Sequence, residues 1–340
     1  MDKDLLTSSY DYNLPKEQIA LYGANPPEDA RLLIYKRDTK EIIDTTFWHF
    51  IDYIPKDSAI FINDTKVIKA RIFGYKNTGG KIELLFEREL KDNNFLVYIR
   101  GKVKVGTILY FEDNLEAKVI KLNEDGSRVV KFFKDNKELN FIEIVSILEK
   151  IGHTPLPPYI KREAKREDEK MYQPIFAKNI GAVAAPTASL HFSKESFNKL
   201  KEKFEVYNLT LHIGAGTFKG VESQNILDHK MHSEYFNIPK EAANVIDSPK
   251  KILAIGTTVT RTIEYYARTK KLSGECNLFL HPKNPPIRVN YLLTNFHLPK
   301  STLIMLVSAF IGRETTLKLY NIAIKKGYRF YSYGDGMLIL

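Results

Sequence analysis

Residues 81–133 read KIELLFERELKDNNFLVYIRGKVKVGTILYFEDNLEAKVIKLNEDGSRVVKFF, and this stretch governs how the chain is divided. Strand-like runs at Lys81–Phe86, Phe95–Arg100, Ile108–Phe111 and Arg128–Phe133 alternate with turn signals at Asp92-Asn93-Asn94, Gly106, Asp113-Asn114 and Asp125-Gly126. Short β-branched and aromatic segments at near-regular spacing, with no helical periodicity among them, predict a small antiparallel barrel. The pattern changes on both sides. Upstream, Arg31–Lys36 and Glu41–Phe47 flank a polar turn and predict a hairpin. Phe50–Ile54 predicts a short helix, and Ala59–Ile62 (AIFI) a buried strand that ends in Asn63-Asp64-Thr65. Downstream, helices return at Leu139–Lys150 and after Ser193, where Phe197, Leu200 and Phe204 recur at helical spacing. Lys251–Ile255 (KILAI) reads as a buried strand, and Gly256-Thr257-Thr258 then opens a helix bearing Val259, Ile263 and Tyr266. Thr302–Phe310 predicts a core helix, and Leu317, Tyr320 and Ile324 a last one closed by Gly327. The expected fold is a mixed α/β (α+β) main domain, residues 1–65 and 138–340, with a small antiparallel β-barrel domain inserted as residues 66–137.

Composition narrows the class. A chain of 340 residues, 44% hydrophobic and 27% charged, is that of a globular protein with a sizeable core. No apolar run approaches the ~20 residues that a membrane span needs. The opening MDKDLLTSSYDYNLPKE lacks an apolar stretch, so no secretory signal is expected, and the single Cys276 excludes an internal disulfide. These features predict a cytoplasmic protein. The net charge of +10 suits a polyanion partner, although lysine outweighs arginine, and arginine would be the more telling phosphate reader.

Small, polar, His-bearing clusters interrupt the apolar strands: GAVAAPTASLHFS at 181–193, NLTLHIGAGTF at 208–218, HKMHSEY at 229–235, TNFHLPKS at 294–301 and SYGDGM at 332–337. Each sits where a strand ends or a helix starts, so backbone N–H groups and a side chain can converge on a ligand. Taken singly, each has an ordinary explanation. A lone His191, His212 or His297 beside apolar residues is more often a hydrogen-bonded core histidine. His229 and His232 have the i, i+3 spacing of a zinc pair with Glu234, but no further ligand is marked, so no metal is expected. Gly214-Ala215-Gly216 lacks the third glycine of a dinucleotide loop. Thr257 could simply cap its own helix.

Together and in order, these blocks resemble the S-adenosylmethionine:tRNA ribosyltransferase-isomerase family of queuosine biosynthesis. The resemblance runs nearly end to end. It takes in DYNLPKEQIA at 11–20, INDTKVIKARIFG at 62–74, TGGKIELL at 78–85, TPLPPYI at 154–160, AIGTTVTRTIE at 254–264, LLTNFHLPKSTLIMLVSAFIG at 292–312 and YRFYSYGDGMLI at 328–339, besides the clusters above. Departures are small: Val259 stands where the family usually has serine, Ser189 where it has glycine, Gly336 where it has alanine, and KNPP at 283–286 where it has a glycine-containing turn.

The resemblance implies a transferase that moves the ribosyl group of S-adenosylmethionine to the aminomethyl-deazaguanine wobble base of tRNA. Epoxyqueuosine-tRNA, adenine and methionine would result. It also implies an α/β domain carrying an inserted barrel. S-adenosylmethionine would be a co-substrate, with no permanently bound cofactor, and the protein a monomer. Abstracting a proton from the ribose 5′-carbon needs a base, losing adenine needs a proton donor, and the attacking amine must be neutral. Histidine titrates in the right range for all three tasks, which makes His191, His212 and His297 the candidates, with Asp64 and Asp335 as carboxylate partners or alternative bases. Gly214, Gly216, Thr217, Phe218, Gly256, Thr257 and Thr258 would approach the donor. Arg261 would pair its carboxylate, or else Glu264 on the same helix. Lys66, Arg71, Lys81, Arg100 and Lys102 would follow the tRNA backbone. Asp64 is expected on a solvent-facing turn, where Asp64→Asn costs little stability. Two rivals remain at this point, an S-adenosylmethionine-dependent RNA methyltransferase and a non-catalytic RNA-binding protein. The early chain lacks the strand, glycine loop and helix of the first, and the insert lacks the aromatic-interleaved pattern typical of the second.

Overall fold

The computed structural model describes residues 2–218 and 220–340, with the Phe218 side chain outside the described set. Among them, nine strands form one mixed sheet in the order Ser273–Cys276, Glu234–Asn237, Val206–Leu211, Ser58–Asn63, Lys251–Ile255, Tyr291–Asn295, Gly336–Ile339, Arg31–Tyr35 and Ile42–Thr46. The four strands from Val206–Leu211 to Tyr291–Asn295 are mutually parallel. They are covered on both faces, so the apolar runs AIFI and KILAI split by pleat. Phe61, Ile252 and Ala254 join Val259, Ile263 and Tyr266 of the Thr257–Thr269 helix. Ile60, Ile62, Leu253 and Ile255 pack on the other face with Phe47, Phe50 and Leu200.

The chain leaves this sheet after Asn63, pairs Thr65–Val67 in parallel with Asn179–Ala182, and enters the barrel. Its strands run Lys137–Glu138, Ser127–Lys134, Phe95–Arg100, Lys81–Glu89, Arg71–Lys76, Ile108–Tyr110 and Leu115–Leu122. The last of these pairs back to Ser127–Lys134 and closes the ring. Closure removes both sheet edges. Two of the strands, Arg71–Lys76 and Leu115–Leu122, were not distinguished in the sequence. The barrel interior holds Ile72, Leu84, Phe86, Phe95, Val97, Val119 and Phe132. The helix Phe141–Ile151 starts on a capping box between Asn140 and Glu143 and adds Ile144, Ile147 and Leu148 to the same cluster. Among the described residues no helix is long and apolar enough to cross a membrane.

Candidate active site

The carboxyl ends of the four parallel strands carry the polar clusters. Leu211 leads into His212-Ile213-Gly214, Asn63 into Asp64-Thr65, Ile255 into Gly256-Thr257-Thr258, and Asn295 into Phe296-His297. Open α/β sheets bind ligands at this end because loops and helix N-termini converge there. Ser58–Asn63 pairs with Val206–Leu211 on one side, and the chain crosses back past it from Glu234–Asn237 to place Lys251–Ile255 on the other, so the strand order reverses at Asn63. The buried Asn63 side chain ties both halves: Oδ1 accepts from the Leu211 and Thr65 N–H groups, and Nδ2 donates to Leu211 O (2.9 Å) and Thr258 Oγ1 (3.3 Å).

Above these ends lies a cleft of about 680 Å³, counting space open to solvent. Its lining includes Ile213, Thr217, Gly256, Thr257, Thr258, Thr294, Asn295, His297, Ser301 and Ser332. The Thr257–Thr269 helix opens into it. Its N-cap is Gly256 at φ +103°, a left-handed region that disfavours any Cβ, and no side chain caps it. Capping by Thr257 therefore does not occur, and among the described residues no side chain caps the first-turn N–H groups. An anionic group in the cleft would supply one and would meet the positive end of the helix dipole.

Asn295 is buried in the cleft wall. Its Nδ2 donates to Tyr331 O (3.1 Å), which fixes the amide orientation, and also meets His191 Nε2 at 3.2 Å. Nε2 must then accept, so the His191 proton sits on Nδ1. Oδ1 of Asn295 has no hydrogen-bond partner among the described residues, so the cleft offers a buried acceptor for an N–H or O–H of a ligand. His191 stacks on Phe47 with ring centroids 4.0 Å apart. His297, in the cleft itself, meets Thr294 Oγ1 at 2.7 Å. Burial drives His191 and His297 down to about 3, with Arg329 adding to the effect at His191.

Both rings are thus neutral near pH 7 but too weakly basic to take up a proton readily, which suits them to hydrogen bonding. Their usual value is 6.5. Below it the unfolded chain binds protons that the folded chain refuses, so stability falls as pH drops from about 6.5 towards 3. His191→Gln should flatten the dependence of unfolding free energy on pH by about 1.4 kcal/mol per pH unit between these limits. Urea titrations across that range would check this, and an unchanged slope would show that the ring titrates normally.

His212 occupies a different place. It lines a neighbouring hollow with Glu87, Gly181, Gly214, Glu234 and Tyr235, between the barrel and the main sheet. Gly181 permits this, since a Cβ there would lie 2.7 Å from the imidazole. Nδ1 of His212 bonds Thr65 Oγ1 at 2.8 Å. Burial lowers its pKa, and the charge of Asp64 opposes the shift. Asp64 is only 5% exposed, which corrects the expected solvent-facing turn. Its Oδ1 accepts from Thr210 Oγ1 (2.6 Å) and Asn179 Nδ2 (3.0 Å), while no partner is found for Oδ2 among the described residues.

Other candidates stand apart from the cleft. Asp335 accepts from the Arg31 and Arg329 N–H groups and the Arg329 guanidinium, which makes it a tie between segments. Arg261 is buried, lies outside the cleft lining and does not pair with Glu264. Its guanidinium pairs with Glu234 (2.5 Å) and donates to the carbonyls of Leu278 and Cys276, while Glu264 pairs with Arg268. The reason is the strand Glu234–Asn237, which brings Glu234 under the helix. Glu234 also accepts from Gly214 N, and Glu87 of the barrel accepts from Ala215 N, so carboxylates hold the glycine loop. Gly216 packs against the His232 ring. Among the described residues no group of three or more His, Cys, Asp or Glu is placed to hold a metal ion. Lys66 lies on the junction strand, Arg71 is paired with Glu83 at 3.2 Å, and Lys81, Arg100 and Lys102 are exposed on the barrel. Sequence reasoning passed over Asn63 and Asn295. Their signal was a polar residue at the last position of an otherwise apolar parallel strand.

The family model described as queuosine biosynthesis protein matches residues 7–339. The chain belongs to that family. Among queuosine biosynthesis relatives, one from Campylobacter jejuni subsp. jejuni (strain 81-176), named S-adenosylmethionine:tRNA ribosyltransferase-isomerase, is 64% identical and covers 100% of both chains. Another of the same name, from Aliarcobacter butzleri, is 62% identical over 99% of each. The crystal structure of S-adenosylmethionine tRNA ribosyltransferase from Thermotoga maritima is similar with a TM-score of 0.55 and 31% identity, covering 98% of this chain and 100% of that one.

Proposed function

We propose that this protein is an S-adenosylmethionine:tRNA ribosyltransferase-isomerase, acting in the cytoplasm on tRNA that carries the aminomethyl-deazaguanine base at the wobble position. The observation that carries the reading is that the uncapped helix N-terminus at Gly256-Thr257-Thr258 and Asn295, whose buried Oδ1 has no partner among the described residues, line one cleft. The methionine carboxylate would meet the helix N–H groups, and an N–H or O–H of the adenosine would meet Asn295. Family membership supports the choice of donor and acceptor. A single copy carries every residue named, so a monomer suffices.

The net reaction joins the base's aminomethyl nitrogen to the ribosyl moiety, rejoins that moiety's carbons and ring oxygen as an epoxide-bearing carbocycle, and breaks its bonds to adenine and to methionine sulfur. One proton is lost from the amine and one from the 5′-carbon, and adenine takes up one of them. Nucleophilicity of the amine requires loss of its proton, and adenine leaves most readily when protonated. We assign the proton-abstracting role to His212 supported by Asp64, because it is the least buried of the three histidines, a carboxylate favours its charged form, and its hollow adjoins the cleft at Ile213. His191 and His297, neutral and hydrogen-bonded, are assigned to positioning. Choice of the ribose over the methyl carbon would follow from alignment, which is worth several powers of ten in rate.

The test offers donor labelled in the methyl group or in the ribose, with tRNA bearing the precursor base. Ribose label is expected in the RNA, with adenine released in equal amount. Methyl label in the RNA would instead identify a methyltransferase.

A further inference from the structure

The barrel carries a surface that the cleft chemistry does not use. On its outer face, Phe73 and Tyr75 of the Arg71–Lys76 strand are 53% and 54% exposed. Aromatic rings are seldom left this open on a closed barrel that has an interior to put them in, and two alternate positions on one strand share a face. Strand register shows what surrounds them. Phe73 lies opposite Glu83, which lies opposite Arg100, and Tyr75 lies between Lys81 and Tyr110. The Tyr75 and Tyr110 rings are stacked with centroids 5.8 Å apart, and Phe73 packs edge-on against His153 at 5.4 Å. The result is a row of Lys81, Tyr75, Tyr110 and Glu116 across the sheet with Phe73 and Glu83 beside it, so that cations border the rings on the Lys81 and Arg100 side.

Charge supports one kind of occupant. Arg100 has an 88% exposed side chain and only a 3.9 Å contact with Glu83, itself shared with Arg71. Lys81 and Lys102 are exposed, with no ion pair among the described residues. A protein partner for an apolar patch gains little from such a cationic border, whereas a nucleic-acid strand needs both parts. Its phosphates take the cations, and its unpaired bases take the rings. Duplex RNA does not fit, because its bases are already stacked on each other.

The platform is also tethered near the cleft. Arg71 pairs with His153 by backbone hydrogen bonds in both directions, and residues 153–159 then run to Tyr159, which lines the cleft. Six residues of chain span at most about 20 Å.

We infer that Phe73, Tyr75 and Tyr110 form a stacking platform for unpaired bases of an RNA loop, with Lys81, Arg100 and Lys102 along its backbone. The inference rests on the tRNA reading above. It adds which surface holds the loop, and that the grip includes rings as well as charge.

The test compares wild-type protein with Phe73→Leu/Tyr75→Leu and with the conservative Phe73→Tyr/Tyr75→Phe. Two probes are used: an RNA hairpin with 2-aminopurine in its unpaired loop, and a blunt RNA duplex of the same composition. Leucine substitution should weaken hairpin binding by about 5- to 150-fold for each lost stack and abolish the fluorescence quenching. The conservative variant should retain both, and duplex and S-adenosylmethionine binding should not change. Equal hairpin affinity in wild type and the leucine variant would overturn the platform. So would a change only in the sedimentation of the protein alone, which would mark the rings as a self-association face. A wild-type protein that binds no hairpin at all would instead reject the tRNA reading on which the inference rests.

Discussion

Arg261→Met is expected to destabilise the fold by about 3–5 kcal/mol, because it strands a buried carboxylate. Arg261 and Glu234 each expose only 6% of the side chain, and the pair meets at 2.5 Å. The guanidinium also serves the carbonyls of Leu278 and Cys276, so three acceptors lose a donor at once. Glu234 would keep only the N–H of Gly214. Replacing both partners removes the charge as well as its counter-charge, so Arg261→Met/Glu234→Met should recover most of the loss. Urea denaturation of the two single variants and the double variant measures both effects. A single variant of normal stability that no longer binds S-adenosylmethionine would return Arg261 to the donor site.

Asp64→Asn should lower turnover by about a hundredfold or more, the usual scale for losing support to a general base. Stability should change by less than about 1 kcal/mol. The reason differs from the exposed turn expected from sequence. Thr210 and Asn179 both donate to the same oxygen, Oδ1, and an asparagine can keep its carbonyl there. What disappears is the negative charge that favours protonated His212. The imidazole pKa should therefore fall further, and the rising limb of the pH–rate profile should move to lower pH. Turnover lost with an unmoved limb would assign Asp64 a direct contact with substrate in place of support for His212.

Much of the architecture was legible in the chain because local and tertiary preferences agree. AIFI and KILAI are too apolar and too β-branched to be anything but covered strands, and Gly256 is followed by a run with helical spacing. Strand Leu115–Leu122 alternates inward Leu115, Ala117 and Val119 with outward Glu116 and Lys118, but Glu, Ala and Lys have low strand propensity and outward Ile120 breaks the alternation, so its signal is weak. The site was legible as a set of motifs and illegible as a geometry. His191, His212 and His297 look alike in sequence, each flanked by apolar residues. Burial lowers the pKa of all three, and only the packing shows that at His212 the Asp64 carboxylate opposes the shift beside an open hollow. Arg261 misled for a related reason. A basic residue one turn into a helix reads as facing the ligand, but its partner Glu234 arrives from a strand no local pattern connects to it.

The strand order also dictates when this protein can assemble. The Arg31–Thr46 hairpin reaches the rest of the sheet only through Gly336–Ile339, some three hundred residues later. Ser58–Asn63 likewise waits for Val206–Leu211 and Lys251–Ile255. The barrel, by contrast, is knit from neighbours in sequence and can close while later residues are still being made. Pairings this distant are slow to form and leave unpaired strand edges exposed meanwhile. During synthesis every strand of the barrel is therefore available while the sheet still lacks its later strands. The four ligand-binding strand ends can pair once Tyr291–Asn295 is made, and the hairpin joins them when the last strand slots between Tyr291–Asn295 and Arg31–Tyr35.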